Sequence, residues 1–484
     1  MRRILFFAPG WSGSQWPHYG LVLLASQLKK LGHPALVVDY NYTPDAPTAI
    51  KAIEEFKPDV IGVSLYTINM SECRRLIANI RSYCDLPIMV GGPHATIYQE
   101  ELAREKISDW LFAGEAEKTL SEYIELVKRE KETVIVKELS PDISNVPPAD
   151  FNLAWGGYSR MFYRPIQLSR GCPFSCSFCS VKCITTRSIR YRDMDLCLDE
   201  LRRDIAAHPK LTFVRIVDDC PTLDKTRFMK FLEKYEQIGI GRSLHIDNLR
   251  GDTVDDELLT SLKRIGVDHL CLGVETANPA VFKSINKGET LDEIVQAALL
   301  IKRHKIRLYL CFVIGLPEAT PETDRDSIAL AEKLKPNWIF WNQFQPHKGT
   351  QAREWFERHG VIYSEEGKTS LIGIDLMTTE PPCETPDYSR QQRVSMQLKA
   401  VLLSGCYALN PFWSGRMCRT VARHRLWLDL FYGLGNALRI NVEMMCHRVW
   451  RQFKTGQWID LSLFKVPKVI RGGGSSNGSS SSYE

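Results

Sequence analysis

Apolar residues come along this chain in short dense runs, separated by stretches that are apolar on one helical face only. RILFFAP, residues 3–9, is too short for a helix and predicts a buried strand, closed by a turn of Gly10, Trp11, Ser12 and Gly13. YGLVLLASQLKKLGH has helical spacing and stops at a glycine. ALVVDY gives a second strand. The alternation continues through AIKAIEEFKP (helix), DVIGVSLYT (strand), MSECRRLIANIRSY (helix), LPIMVGG (strand) and a short DWLFAGE strand. Such alternation predicts an α/β domain over 1–140 with a parallel, doubly wound sheet. Sheets of this kind bind ligands beyond the carboxyl ends of their strands. Those ends are Pro9–Gly10, Asp39–Tyr40, Ser64–Leu65 and the run Gly91, Gly92, Pro93, His94. Ser64, Gly91 and Gly92 leave backbone exposed and room for a large flat ligand, although tight turns use the same residues. No G-x-G-x-x-G opens the domain, which disfavours NAD.

SPDISNVPPADFNLAWGG is rich in Pro, Asn and Gly and predicts a linker over 141–162. Strand and helix patterns then alternate again. LTFVRIV (211–217) ends in Asp218–Asp219, SLHIDNLRG in Asn248 and Arg250, and DHLCLGVET in Glu275–Thr276. RLYLCFVIGLP carries Gly315 and Pro317, and WIFWNQFQPHKGT closes the series. DDELLTSLKRIG and LDEIVQAALLIKRHK have helical period between them.

With 484 residues, 44% apolar, the chain is long enough for two or three packed domains. A net charge of +5 implies no steering of nucleic acid. Fourteen cysteines in this length are far from a disulfide scaffold. MRRILFFAPG runs straight into strand-like sequence, so no secretory leader is expected, and no charge-free apolar run is long enough to span a bilayer. A reducing cytoplasm is the expected location.

Cys172, Cys176 and Cys179 lie in RGCPFSCSFCS, a C-x₃-C-x₂-C. Three soft thiolates this close can hold three irons of a cubane cluster and leave the fourth iron open for chemistry. A zinc site would need a complementary Cys/His pair at short range, and none follows. Cys183 is read as a core or helix-face thiol.

On these cysteines and the strand ends after them, residues 163–350 resemble the radical S-adenosylmethionine (SAM) family. That resemblance implies a partial (β/α)₆ barrel, whose polar strand ends form the active site. It also implies a [4Fe-4S] cluster and SAM chelated at the open iron. Arg250 would meet the SAM carboxylate, unless it pairs with Glu275. Glu275, in the family's fourth-strand acidic motif, would meet the amino group. Phe178 and Asp218 are further SAM contacts, and Gly315 would admit the adenine. Asp219, Trp341 and His347 are substrate candidates. Their alternatives are a helix N-cap for Asp219, core packing for Trp338, Trp341 and Phe344, and a surface turn for His347–Lys348.

The run from Pro9 through GGPHAT to GEAE resembles the cobalamin-binding domain that precedes some radical SAM domains. That places cobalamin against Gly10, Ser64, Tyr66, Asn69, Gly91 and Gly92. The D-x-H-x-x-G element, whose His ligates cobalt in other B12 proteins, is absent, so a lower His ligand is not expected. The fold without cobalamin remains an alternative. The resemblance implies reductive cleavage of SAM to a 5′-deoxyadenosyl radical and hydrogen abstraction from an unactivated carbon. C-methylation through methylcobalamin would follow, with rearrangement, cyclisation or dehydration as the second reading and an iron–sulfur sensor as a distant third. An external low-potential donor such as flavodoxin or ferredoxin would supply the electron.

Beyond 350 the resemblance thins into a mainly helical region over 351–471. Residues 386–471 hold 14 Lys/Arg against four Asp/Glu. Their mixture with Trp, Phe and Leu at helical spacing suits peripheral contact with anionic lipid, or helices packed on the barrel mouth. Cys383, Cys406, Cys418 and Cys446 are too far apart for a second cluster. GGGSSNGSSSSYE, 472–484, reads as a disordered tail.

Overall fold

Six strands of the first domain pair in parallel: β1 (Ile4–Ala8), β2 (Ala35–Asp39), β3 (Val60–Ser64), β4 (Ile88–Gly91), β5 (Trp110–Gly114) and β6 (Val134–Glu138). This computed structural model describes residues 1–10, 18–40, 46–157, 161–363 and 381–409, all within one compact unit, Met1–Cys418. The spatial order is β2-β1-β3-β4-β5-β6. β6 was not foreseen, because its burial is uneven and charges flank it.

Side-chain alternation divides the sheet's two faces. Leu5, Phe7, Ile61, Val63, Ile88, Val90 and Leu111 pack under the helices Ala49–Phe56 and Met70–Tyr83. Phe6, Gly62, Met89 and Phe112 point the other way, toward Tyr19–Lys30 and Ala116–Tyr123. On that second face the helices stand off at the carboxyl end and leave a cavity.

The expected linker is not a loose connection. Ala154 bridges in parallel to Val37, and Trp155 N–H donates to the Val37 carbonyl at 2.8 Å, extending the sheet beyond β2. Phe151 is buried beneath the Arg164 guanidinium, 4.8 Å from its ring centre.

The second layer system holds β7 (Tyr163–Ile166), β8 (Phe213–Ile216), β9 (Ser243–Ile246), β10 (His269–Glu275), β11 (Arg307–Ile314) and β12 (Trp338–Gln343). They form two parallel sheets, β9-β8-β7 and β10-β11-β12, joined by a bridge between Leu249 and Leu272. Parallel strands with helical crossovers in this order make the partial barrel. In β8, β9, β11 and β12 every second residue is fully buried under the helices, and the alternate set faces inward. At the amino ends the inward set is a belt of rings. Tyr163 stacks on Phe213 (5.1 Å), Phe213 on His245 (3.7 Å), His245 meets His269 (4.6 Å), and His269 stacks on Tyr309 (4.6 Å). The belt closes the end of the barrel away from the cysteines.

Buried charges fix β7 to the helix Met194–Ala207. Arg164 pairs with Glu200 and, at 2.8 Å, with Asp204, while Arg192 reaches Glu200 at 3.0 Å.

The helix Arg390–Leu409 covers the outer face of β11 and β12 rather than the barrel mouth. Gln397 donates to the Trp341 carbonyl at 3.0 Å, and Gln343 bonds Gln397 at 3.1 Å. Trp341 is therefore an outer-face core residue, 2% exposed and stacked on Phe312 at 4.6 Å, and does not reach the substrate side. Phe344 is likewise buried, on Phe356. Trp338 lies on the inward set with Phe340. The basic stretch after 409, the tail, and the side chains of Cys406, Cys418 and Cys446 lie outside the described residues. Among the described residues no helix is long and apolar enough to cross a membrane.

Candidate functional site

Ser169–Arg170 pairs antiparallel with Arg190–Tyr191, and this small hairpin closes a loop carrying Cys172, Cys176 and Cys179. Gly171 turns the chain into the loop with φ +94°; a Cβ there would lie 2.4 Å from the Ser188 carbonyl. The loop is bonded on both flanks. Ser177 N–H donates to the Ile285 carbonyl (2.8 Å), and the Ser177 carbonyl accepts from Ala352 N–H (3.0 Å). Burial pushes all three thiols up, Cys179 to about 12, and the neighbouring sulfurs add to that shift for Cys176 and Cys179. Three soft donors in one half-buried loop, costly to ionise until a cation arrives, fit an iron–sulfur cluster.

Three residues expected at SAM are otherwise engaged. Asp218 is buried, pushed up to about 7 by desolvation, and its two oxygens accept from Leu168 N–H (2.7 Å) and Ser169 Oγ (2.5 Å). It holds the root of the hairpin instead of facing a ligand. Arg250 pairs with Asp252 at 2.7 Å, not with Glu275, and donates to the carbonyls of Lys287 (2.7 Å) and Gly288 (3.0 Å). Its guanidinium lies 3.5 Å over the Phe174 ring, so it braces the cysteine loop. Gly315, at φ +75°, leaves room for Arg393, whose Nη1 would stand 2.0 Å from an added Cβ.

The remaining candidates stay near the loop. Glu275 ends β10 at φ +67°, with Lys287 Nζ 3.2 Å from its Oε1. Phe178 lies half-buried between Cys176 and Cys179. Asp219 accepts from Gly171 N–H at 3.1 Å and lines the cavity of the first domain. His347 is in the turn after β12, where its carbonyl accepts from Thr350 N–H at 3.2 Å.

That cavity, about 330 Å³, is bounded on the sheet side by Phe6, Gly62, Ser64, Tyr66, Gly91 and Gly92. Gly92 has φ +98°, and a Cβ there would meet the Leu65 carbonyl at 3.0 Å and Ser64 Oγ at 3.1 Å. Asn69 and Gly10 are not part of its wall. Asn69 is buried and donates to the Pro9 carbonyl at 2.7 Å, stapling β1 to the loop after β3, and Gly10 packs against Tyr40. Its lining mixes apolar and glycine surface (Phe6, Gly62, Val90, Gly91) with a few polar groups (Ser64, Tyr66), the kind of wall a large ligand needs.

A further wall comes from the hairpin and its flanks (Gln167, Arg170 and Thr185) and from Asp219 after β8. Glu115, after β5, joins the two. It accepts from Arg170 Nη1 (2.8 Å), Arg190 Nη1 (2.9 Å) and Thr185 Oγ1 (2.8 Å), while Arg170 also pairs with Glu117 at 2.6 Å. Burial pushes the Glu115 carboxyl up, but the two guanidinium groups overcome it and hold it below the usual range.

Fold and site together define a radical SAM protein with a cobalamin-type domain built onto its cluster loop. Residues 11–124 match the B12 binding domain family and residues 166–331 the Radical SAM superfamily. The anaerobic magnesium-protoporphyrin IX monomethyl ester cyclase of Rubrivivax gelatinosus is 25% identical over 71% of this chain and 68% of its own length. The hopanoid C-3 methylase of Methylococcus capsulatus is 26% identical over 69% of this chain and 67% of its own. The solved radical SAM methyltransferase TsrM from Kitasatospora setae shares the fold with a TM-score of 0.67 at 15% identity, covering 93% of this chain and 100% of that one. The chain thus joins a B12 binding domain to a Radical SAM domain, and its cofactors are a [4Fe-4S] cluster, SAM and cobalamin.

Sequence reasoning missed Glu115, Arg170, His18 and Lys287. GEAE and RGC, both quoted for the resemblance, carry the first two. The buried Lys of INKG gives no signal of its own until Gly273 and Glu275 are placed beside it.

Proposed function

We propose that the chain transfers a methyl group to an unactivated carbon of a small-molecule or lipid-like metabolite. The observation that carries this is the shared wall: Arg170 and Asp219 line the corrin cavity and also flank the turn into Cys172. Cys172, Cys176 and Cys179 would hold the cluster, Glu275 the SAM amino group, Phe178 the adenosine side, and Ser64, Tyr66, Gly91 and Gly92 the cobalamin. When bound, the cluster supplies the electron that cleaves SAM and cobalamin carries the methyl group. The chain's own residues keep that chemistry in place. Arg250 on Phe174 stiffens the loop, Glu115 fixes the cavity against it, and the ring belt closes the barrel behind it. Asp219 and His347 remain the proposed substrate contacts. A flavodoxin or ferredoxin would deliver the electron, and the basic stretch within 386–471 would touch anionic surfaces.

The name of the Rubrivivax relative favours a second reading, radical ring closure. Product analysis separates them. Anaerobic turnover with SAM, cobalamin and reductant on a competent substrate should yield S-adenosylhomocysteine together with 5′-deoxyadenosine. Deoxyadenosine with no S-adenosylhomocysteine would favour cyclisation.

A further inference from the structure

β10 ends in an irregularity between Gly273 and Glu275, and Glu275 takes the left-handed φ of +67°. An added Cβ at Gly273 would lie 2.5 Å from Glu275 Oε1 and 3.1 Å from Lys287 Nζ. The bare backbone there makes the space that this ion pair occupies. Lys287 Nζ stands 3.2 Å from both Glu275 Oε1 and Glu289 Oε1, and it donates to the Gly273 carbonyl. All three charged side chains are shielded, with 7%, 13% and 0% of the Lys287, Glu275 and Glu289 side chains exposed. Glu289 Oε2 accepts from Gly251 N–H at 2.7 Å, but its buried Oε1 has no aligned hydrogen-bond donor.

Two shielded carboxylates against one ammonium leave a net negative charge, which one further ammonium group would balance. The backbone of the same lysine touches the cysteine loop. Its carbonyl lies 4.0 Å from Cys176 Sγ and accepts from Arg250 at 2.7 Å. One residue thus spans from the cluster loop to the fourth-strand acid.

We propose that Lys287 is a positioning residue for SAM: by holding Oε1 of Glu275 it presents the other carboxylate oxygen to the SAM amino group. This rests on the reading of Glu275 as the acceptor for that group. Removing the ammonium frees Glu275 to relax from its left-handed conformation and leaves two carboxylates to share a proton, so the acceptor is lost in both orientation and charge.

The test uses anaerobically reconstituted holoprotein with iron and cobalamin content measured. SAM affinity is read by equilibrium dialysis, and the SAM-induced change in the electron paramagnetic resonance (EPR) signal of the reduced cluster is read alongside. Lys287→Met should keep its iron, weaken SAM by about tenfold or more, and blunt the spectral change. Lys287→Arg should recover most of both. The double variant Lys287→Met/Glu275→Gln should bind SAM no more weakly than Glu275→Gln alone. Wild-type affinity in Lys287→Met alongside a weakened Glu275→Gln would overturn the positioning role alone. Wild-type affinity in Glu275→Gln would remove the reading of Glu275 and the proposal with it. Additive losses, or loss of iron from both Lys287 variants, would overturn the proposal by showing that the lysine only holds the loop together.

Discussion

His18 Nε2 lies 2.8 Å from Ser64 Oγ in the wall of the first domain's cavity. A histidine at this place invites comparison with the cobalt-ligating histidine of other B12 proteins. Its bonds argue otherwise. Nδ1 accepts from Leu21 N–H at 3.1 Å, capping the helix Tyr19–Lys30, so Nε2 carries the proton and donates to Ser64. No imidazole lone pair is left for a metal. Bound cob(II)alamin is expected to show EPR cobalt lines without splitting from a histidine nitrogen, so the spectrum should not change in His18→Gln or with ¹⁵N-histidine. A three-line splitting that becomes two-line with ¹⁵N-histidine would show that His18 rotates and ligates cobalt.

Glu115 and Arg170 join the cavity to the cluster loop, and breaking a shielded pair from one side typically costs about 3–5 kcal/mol. Glu115→Gln should therefore weaken cobalamin retention and lower the thermal midpoint, while Glu125→Gln, at the exposed amino-terminal pair, changes little. The sign with pH follows from the direction of the Glu115 shift. A carboxyl held below its usual range stabilises the fold above the unfolded value and loses that contribution as pH falls through the folded one. The gap between wild-type and Glu115→Gln thermal midpoints should be full at pH 7 and shrink on acidification below the ordinary carboxylate range. A gap independent of pH would deny the ion pairs their role.

Glu200 is fully buried between Arg164 and Arg192. Glu200→Ala leaves two guanidinium groups without their shared partner and should cost on the order of 3–5 kcal/mol in denaturant unfolding. A loss under about 1 kcal/mol, the range of exposed ion pairs, would mean that water reaches the network.

Trp341 and Trp338 share a strand but opposite faces. Trp341→Ala should destabilise by about 3–5 kcal/mol, because the ring is packed against Phe312 beneath the last helix. Trp338→Ala should cost much less stability. Equal losses would place both rings in the same core.

Much of this fold was legible because strand burial is so uneven along the chain. ILFFA, VIGVS and the alternating RLYLCFVI stand out against their neighbours, and C-x₃-C-x₂-C fixes the cluster loop on its own. What stayed hidden depends on orientation rather than composition. Trp341 and Phe340 differ by one residue, and only strand pairing decides which one faces inward. Arg250 could as well have paired with Glu275, since nothing in the chain order reveals that Asp252, two residues on, reaches it first. At Gly315 the group that packs close to the backbone, Arg393, comes from 78 residues downstream, a distance no local pattern reveals. Asp218, at a carboxyl strand end where ligand contacts gather, folds its carboxylate back onto Leu168 and Ser169.

The central claim is that the cysteine loop leaves one iron open to SAM. The most direct measurement is EPR on anaerobically reconstituted, reduced protein before and after SAM addition, with iron and zinc counted. About four irons per chain are expected, with a [4Fe-4S] signal that shifts on binding SAM and the release of methionine and 5′-deoxyadenosine. Zinc in place of iron, or a cluster signal that SAM leaves unmoved, would contradict it.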